Sequence, residues 1–262
     1  MDNLILKLVL TPALIGTASL AGRRWGPAVS GWLVGFPFTS APIALFLALN
    51  EGVGFAATAA AGTMTGSISQ AAFCLAYAWL APRCGSPATV AAGCLAFAVS
   101  TAALQHLALP LAPLVAMVVA ALLLALRSMP GNAEKPPAPT VPPPRWDIPA
   151  RMVVATVFVL LLTSMAPALG PRLTGLLAPF PLYAAVLTVF AHQIEGPGPA
   201  VAVLRGLLLG LFAFAGFFLV IAALIERAGI APAFALAVAL ALGLQAGALW
   251  ALRRTPVTRN RP

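Results

Sequence analysis

The stretch GPAVSGWLVGFPFTSAPIALFLALNEG, residues 26–52, decides the fold because it occurs twice. Residues 170–196 read GPRLTGLLAPFPLYAAVLTVFAHQIEG, with the Gly-Pro, Phe-Pro and Glu-Gly pairs at the same spacing. The two copies are offset by 144 residues, and about a third of the positions from Gly26 to Gly85 are identical under that offset without a gap. Shared apolar composition alone would not keep this register, so the chain contains an internal duplication.

The composition predicts an integral membrane protein surrounded by a lipid bilayer. Hydrophobic residues make up 61% of the chain and charged residues 8%, with a mean hydropathy of +0.99, whereas soluble domains have about 25% charged residues. The apolar runs lack the two-residue alternation of membrane strands, which indicates an all-α helix bundle. The net charge of +9 comes from basic residues between apolar runs. They are read as topology signals, and nucleic acid is not a predicted partner.

Nine segments are long and apolar enough to span a membrane, which takes about 20 mostly apolar residues. They are residues 4–21, 29–49, 55–80, 88–104, 109–126, 150–168, 173–191, 200–225 and 231–252. A polar, proline-rich segment after the fifth is predicted to be an extended linker. The predicted units are a first four-helix repeat (1–105), a connecting transmembrane helix (106–127), a cytoplasmic linker (128–148), a second four-helix repeat (149–253) and a basic cytoplasmic tail (254–262).

The distribution of basic residues predicts the orientation. With nine spans, eleven of the 15 lysines and arginines fall on one side, three on the other, and Arg205 lies within a span. Basic residues collect on the cytoplasmic side, so the N-terminus is expected outside and the C-terminus inside a bacterial inner (plasma) membrane. The unpaired fifth helix then gives the two repeats opposite orientations. Such inverted-topology repeats are common in secondary transporters, whose substrate path lies near the membrane midplane.

Three short motifs mark the second repeat: LTGLLAPFP at residues 173–181, FAH at 190–192 and AVLRG at 202–206. With them it resembles the small GlpM-like bacterial inner-membrane proteins, which are four-helix proteins. The whole chain is similar to two such units fused through an extra helix. The first repeat has Ala48 in place of the histidine and Ala61 in place of the arginine. The resemblance therefore carries the roles of these groups only to His192 and Arg205, and it implies architecture more than activity.

The two Phe-Pro pairs fall inside predicted spans, where proline exposes backbone carbonyls that either face a cavity or are satisfied by neighbouring helices. Paired interrupted helices are typical of transport sites, although a plain packing kink is the competing interpretation. The hydroxyls of the first copy and the basic groups of the second are the polar candidates. The predicted substrate-path residues are Phe36, Pro37, Thr39, Ser40, Phe180, Pro181, Tyr183, His192 and Arg205.

Arg205 is expected to bind an anion or to snorkel to the cytoplasmic interface, with Glu195 and His192 as its nearest partners. Glu51 and Glu195 end equivalent spans and are interpreted either as anions at the start of the next helix or as gating or proton-coupling carboxylates. Two GxxxG motifs, Gly62/Gly66 and Gly206/Gly210, predict close helix packing. Because they coincide under the offset, the third and eighth helices are expected to cross there.

No metal-ligand spacing, phosphate-binding loop or catalytic triad occurs, so no metal, no cofactor and no enzymatic activity are predicted. The leading hypothesis is a small secondary transporter or flippase of a small polar or anionic solute or a lipid head group. The alternative is a non-transporting assembly or regulatory subunit of an envelope pathway, and a membrane-embedded enzyme ranks third. The substrate, the coupling ion and homo-oligomer formation are left open by the sequence.

Overall fold

The computed structural model describes residues 3–25, 36–107, 109–130, 147–194 and 196–254, and within them every regular element is a helix. This confirms the all-α prediction for these residues. The predicted linker and tail fall almost wholly outside them. The nine helices are α1 (Asn3–Trp25), α2 (Ser40–Asn50), α3 (Val53–Leu80), α4 (Ser86–Leu104), α5 (Leu111–Ser128), α6 (Asp147–Leu177), α7 (Leu182–Ile194), α8 (Pro197–Ala228) and α9 (Ile230–Arg254).

Five of these helices, α4, α5, α6, α8 and α9, are long and apolar enough to cross a membrane. This agrees with an integral membrane protein. Shorter apolar stretches occur in α1, α2 and α7. α3 has 28 residues but is rich in Ala, Gly, Ser and Thr. Such small side chains let neighbouring backbones approach closely, which suits a helix in the interior of a membrane bundle.

α3 and α8 form the centre of the bundle and make the most extensive contact of any helix pair among the described residues. In the most apolar segment of α8, half of the residues are buried inside the protein, whereas only 22% are buried in the corresponding segments of α4, α5 and α9. These three helices therefore lie at the periphery. Gly54 at the start of α3 lies against the Glu226 carboxylate in the last turn of α8. The two central helices therefore run antiparallel.

The duplication is visible in the helix bounds. α3 and α4 begin 144 residues before α8 and α9, respectively. The residues that precede α3 and α8, Gly52 and Gly196, have nearly equal positive φ angles of 92° and 95°. Only glycine adopts this conformation without steric cost. The two repeats thus share both their helix starts and the conformation of the connecting turn.

α1 and α6 are equivalent under the offset and pack against each other. Lys7 of α1 contacts Thr163 of α6, whereas Gly16, further along α1, lies against Met152, which comes earlier in α6. Residue numbers rise along one helix as they fall along the other. This equivalent pair is therefore also antiparallel.

Two predicted spans differ from the observed helices. The sixth span agrees with the first part of α6, whose helical geometry is broken at Gly170, where φ is 74°, and only the first five residues of the seventh span lie in the second part of α6. The seventh span, residues 173–191, is interrupted after Leu177, and α7 begins at Leu182. α2 likewise begins at Ser40, inside the second predicted span, whose first part lies outside the described residues. Proline explains both late starts because it lacks an N–H and clashes with the preceding helical turn.

Candidate functional site

Each Phe-Pro pair forms a tight turn just before a helix, here called a break, and the second break separates α6 from α7. In both breaks, residues 36–38 and 180–182, the N–H of the third residue donates to the carbonyl of the first at 2.8 Å. A bond between residues two apart closes a γ-turn, and the ring of the central Pro37 or Pro181 sets φ near the value that this turn needs. The carbonyl of each proline then accepts the N–H four residues on, at 2.8 and 2.7 Å, and so starts the next helix.

The two breaks meet inside the protein. The hydroxyl of Ser40 donates a hydrogen bond to the carbonyl of Ala178 at 2.9 Å, and the two residues are only 2% and 1% exposed. The ring of Phe180 packs edge-on against Phe97, with 5.2 Å between the ring centres. Half-buried Thr39 immediately precedes α2, and its side chain makes no capping hydrogen bond. The Ser40–Ala178 bond therefore brings the predicted path residues of the first repeat, Phe36 to Ser40, close to the second break.

The remaining path residues lie apart from this junction. Tyr183 is in the first turn of α7, and the structure describes its backbone but not its side chain. The Nδ1 atom of His192 lies 3.1 Å from the hydroxyl of buried Tyr77, and the two rings are edge-on at 5.8 Å. The next residue, Gln193, donates to the hydroxyl of Ser86 at 3.0 Å. The end of α7 is thus held by polar contacts with the end of α3 and the start of α4.

Arg205 does not pair with His192, which corrects one of the expected contacts. Its Nη2 atom instead donates to the carbonyls of Pro130 and Met129, at 3.2 and 3.4 Å. These carbonyls follow the C-terminal end of α5, where a cation is favourable because of the helix dipole. The Nε atom of Arg205 is buried and has no hydrogen-bond partner in the part of the chain that the structure describes. The other expected partner, Glu195, lies outside that part.

The GxxxG motif of the first repeat packs against α6 and not against α8. A Cβ added to Gly62 would lie 2.7 Å from the carbonyl oxygen of Arg172, and one added to Gly66 would lie 2.7 Å from that of Leu176. A side chain on Gly175 would collide with the carbonyl of Ala59. The glycines of α3 and α6 therefore allow the backbones of these two helices to touch. The expected crossing partner of this motif was wrong, although α3 and α8 do pack together.

The second GxxxG copy is placed differently. A Cβ added to Gly206 would have no atom within 4 Å among the described residues. Gly210 lies in the middle of α8 and is partly buried.

Glu51, the gating candidate of the first repeat, is exposed at the end of α2.

Sequence reasoning assigned no role to Lys7, which proves to be buried. Its Nζ donates to the hydroxyl of Thr163 at 2.9 Å and lies 5.4 Å from the centre of the Phe46 ring. One turn further along α1, the hydroxyl of Thr11 is fully buried and has no partner among the described residues. A lysine inside an otherwise apolar run is itself a signal of function, because a charge in the membrane is costly.

Sequence reasoning also gave Arg172 no role, and Arg172 lines a pocket of about 190 Å³. The pocket lies between α3, α5 with the segment before it, and the last turns of α6. Its lining consists of Thr58, Ala61, Gly62, Thr65, Leu107, Leu109, Leu114, Arg172 and Leu176. The guanidinium of Arg172 is partly buried and donates to the carbonyl of Leu104 at 3.2 Å. None of the predicted path residues lines this pocket.

No family model, curated protein or solved structure matches this chain. Its chemistry must therefore be argued from its own residues. Within the described ranges no three His, Cys, Asp or Glu side chains lie together as metal ligands would. What the described residues offer is a junction of two helix breaks, a buried lysine and a small pocket with one arginine.

Proposed function

We propose that this protein is a small secondary transporter or flippase of a bacterial inner membrane, with a small polar or anionic solute or a lipid head group as its substrate. The nine helices of the described residues would form two inverted four-helix repeats linked by α5. The GlpM-like resemblance stays a prediction from the sequence and agrees with this architecture. The substrate would pass where the two Phe-Pro breaks meet.

The antiparallel packing of equivalent helices supports the inverted arrangement. α1 and α6 coincide under the 144-residue offset and run in opposite directions, and so do α3 and α8. A duplicated unit inserted twice with the same orientation would give parallel equivalent helices. Inverted repeats related by an axis in the membrane plane are a recurrent architecture of secondary transporters.

The observation that carries the proposal is the hydrogen bond from Ser40 to the carbonyl of Ala178. It joins the Phe-Pro break of one repeat to that of the other, and transporters of this architecture bind substrate between paired breaks of this kind. A single hydrogen bond between neutral groups within a membrane protein contributes only about 1 kcal/mol. This bond by itself therefore does not lock the two breaks together.

A different observation favours the alternative, a non-transporting subunit. Ser40 contacts the opposite break directly, and both His192 and Arg205 are hydrogen-bonded to protein groups. Internal bonding of this kind suits a protein whose helices pack permanently. In the transporter proposal the same contacts belong to a closed state.

Reconstitution of the full chain into lipid vesicles tests the proposal. Uptake of radiolabelled lactate, glutamate, phosphate and glycerol 3-phosphate is measured against protein-free vesicles, and movement of fluorescent phospholipids between leaflets is followed by dithionite quenching. We expect saturable movement of at least one probe and a loss of about tenfold or more in Pro181→Ala. Pro87→Ala, which changes a proline in the first turn of α4, is the matched control and should retain activity. Folded protein that moves none of these probes contradicts the proposal.

Two arginine variants test the place of Arg205 in the path. Arg205→Ala should abolish the movement of the transported probe, whereas Arg227→Ala changes an exposed arginine near the end of the same helix and should not. Equal losses in both variants, or in neither, would remove Arg205 from the path.

A further inference from the structure

The pocket beside Arg172 has the size and the wall chemistry of a small-molecule site. Three of its polar or small lining residues, Thr58, Gly62 and Thr65, lie on one face of α3 and extend over about 10 Å along the helix. The facing wall is apolar and consists of Leu107, Leu109 and Leu114. At about 190 Å³ the pocket is smaller than the sites of drug-sized ligands, which start at about 300 Å³. It suits a compact solute.

Arg172 is the only charged side chain among the described residues that line the pocket. Its bond to the carbonyl of Leu104 fixes the guanidinium and uses one of its nitrogens. The fork of remaining N–H groups matches a carboxylate in geometry and charge. A single guanidinium balances one negative charge, so a monocarboxylate fits better than a doubly charged phosphate.

The two threonines add a second preference. The hydroxyl of Thr58 donates to the carbonyl of Gly54 at 3.2 Å, and that of Thr65 donates to the carbonyl of Ala61 at 2.8 Å. Their protons are therefore used within the helix, and their oxygens remain acceptors. A ligand that meets them needs a donor of its own. A hydroxyl is favoured over an ammonium, because no acidic residue is among those that line the pocket.

We infer that this pocket binds a small hydroxycarboxylate, with Arg172 holding the carboxylate and the threonine oxygens accepting the ligand hydroxyl. The inference rests on the proposed function only in that such a ligand would then be the transported solute. Binding itself does not require transport.

The pocket also lies next to the junction of the breaks. Leu176 lines it and comes two residues before Ala178, whose carbonyl accepts the Ser40 bond. Gly66, one residue beyond Thr65, contacts Leu176 and Pro179 so closely that no side chain fits between them. A solute held at Arg172 is thus separated from the junction by this close contact of α3 with the residues that end α6.

Calorimetric titration of the purified full chain in detergent tests the inference, with sodium lactate and sodium propionate as a pair that differs by one hydroxyl. We expect lactate to bind and propionate to bind about tenfold more weakly, the usual value of one hydrogen bond in recognition. Arg172→Gln should weaken lactate binding at least tenfold, whereas Arg227→Gln should leave it unchanged. No lactate binding by the natural chain, or equal affinity in Arg172→Gln, overturns the inference.

A second variant covers the case in which Arg172→Gln fails to fold. Thr58→Val combined with Thr65→Val removes both acceptor oxygens but keeps the side-chain shapes, and it should erase the preference for lactate over propionate. Thr63→Val is the control, since Thr63 is also buried in α3 and bonded to its own helix but does not line the pocket. A preference that persists in the double variant, or is lost equally in Thr63→Val, contradicts the assignment. Lactate binding without transport of any probe would overturn the proposed function and leave this inference standing.

Discussion

The hydroxyl of Ser40 donates to the carbonyl of Ala178 at 2.9 Å, across 138 residues of chain. The bond connects two γ-turns that have the same pattern of backbone hydrogen bonds. Ser40 follows the first turn, and Ala178 precedes the second. The contact is therefore not symmetric, since the offset pairs Ser40 with Ala184, which has no hydroxyl. The two copies of the motif differ at this position, and the contact uses a hydroxyl that only the first copy has.

Removing this hydroxyl should loosen the centre of the bundle. Ser40→Ala leaves the buried carbonyl of Ala178 without this donor, so we expect the unfolding free energy in detergent to fall by about 1 kcal/mol. Ser164→Ala is the control, because exposed Ser164 bonds only to its own helix. Equal stability of the two variants in a denaturant titration would mean that the Ser40–Ala178 bond contributes nothing.

The equivalent glycines Gly62 and Gly206 should respond differently to the same substitution. Gly62→Ala forces a methyl group to within 2.7 Å of the carbonyl oxygen of Arg172, and overpacking of this kind costs about 1–3 kcal/mol. Gly206→Ala meets no described atom within 4 Å, and alanine favours a helix over glycine by about 1 kcal/mol. Thermal unfolding should thus show a lower Tm for Gly62→Ala and an equal or higher Tm for Gly206→Ala. The opposite order would contradict the observed packing.

The contact between Tyr77 and His192 should appear as a coupling energy. Tyr77→Phe, His192→Ala and the double variant form a cycle in which we expect a coupling of about 0.5–1 kcal/mol, because one hydrogen bond and one edge-on ring contact are lost together. Denaturant unfolding in detergent gives the four free energies. Additive effects would show that the two side chains do not stabilise each other.

Replacing the buried Lys7 should separate stability from function. Lys7→Met fills the same space without a charge, and Thr163 keeps its bond to the carbonyl of Val159 at 2.7 Å. Since apolar replacement of a buried charge is often stabilising, we expect a gain of about 1 kcal/mol. Because the buried charge of Lys7 lowers stability, we expect that it serves activity. Transport in vesicles should therefore fall in the same variant. Lower stability with full transport would indicate a purely structural lysine.

Much of the local structure was predictable because it depends on neighbouring residues. Gly52 and Gly196 end one helix and begin the next, since only glycine accepts a positive φ at those positions. Pro181 separates α6 from α7, and Pro37 precedes the start of α2, wherever the surrounding chain lies. The repeated motif therefore predicted the positions of both breaks. The break at Pro181 divides the seventh predicted span, residues 173–191, which hydropathy alone predicts as one continuous helix.

The partners of the polar side chains were not predictable in the same way. His192 and Arg205 are 13 residues apart in sequence, but α7 and α8 present them to different neighbours, Tyr77 and the residues after α5. The sequence likewise contained no sign that Gly62 and Gly66 face the end of α6. Charge counting registered Lys7 and Arg172 only as topology signals, and their surroundings become visible only after the helices are packed.

By itself, the sequence determined that this is an all-helical membrane protein with an internal repeat, and where its helices break. These properties follow from hydropathy, from the 144-residue offset and from the backbone limits of glycine and proline. Only the tertiary structure decided that Ser40 bonds to Ala178 and that Arg172 faces a pocket. Such contacts depend on how each helix is rotated and how closely its neighbours approach, and small residues along α3 set that approach through many weak contacts that no single motif encodes.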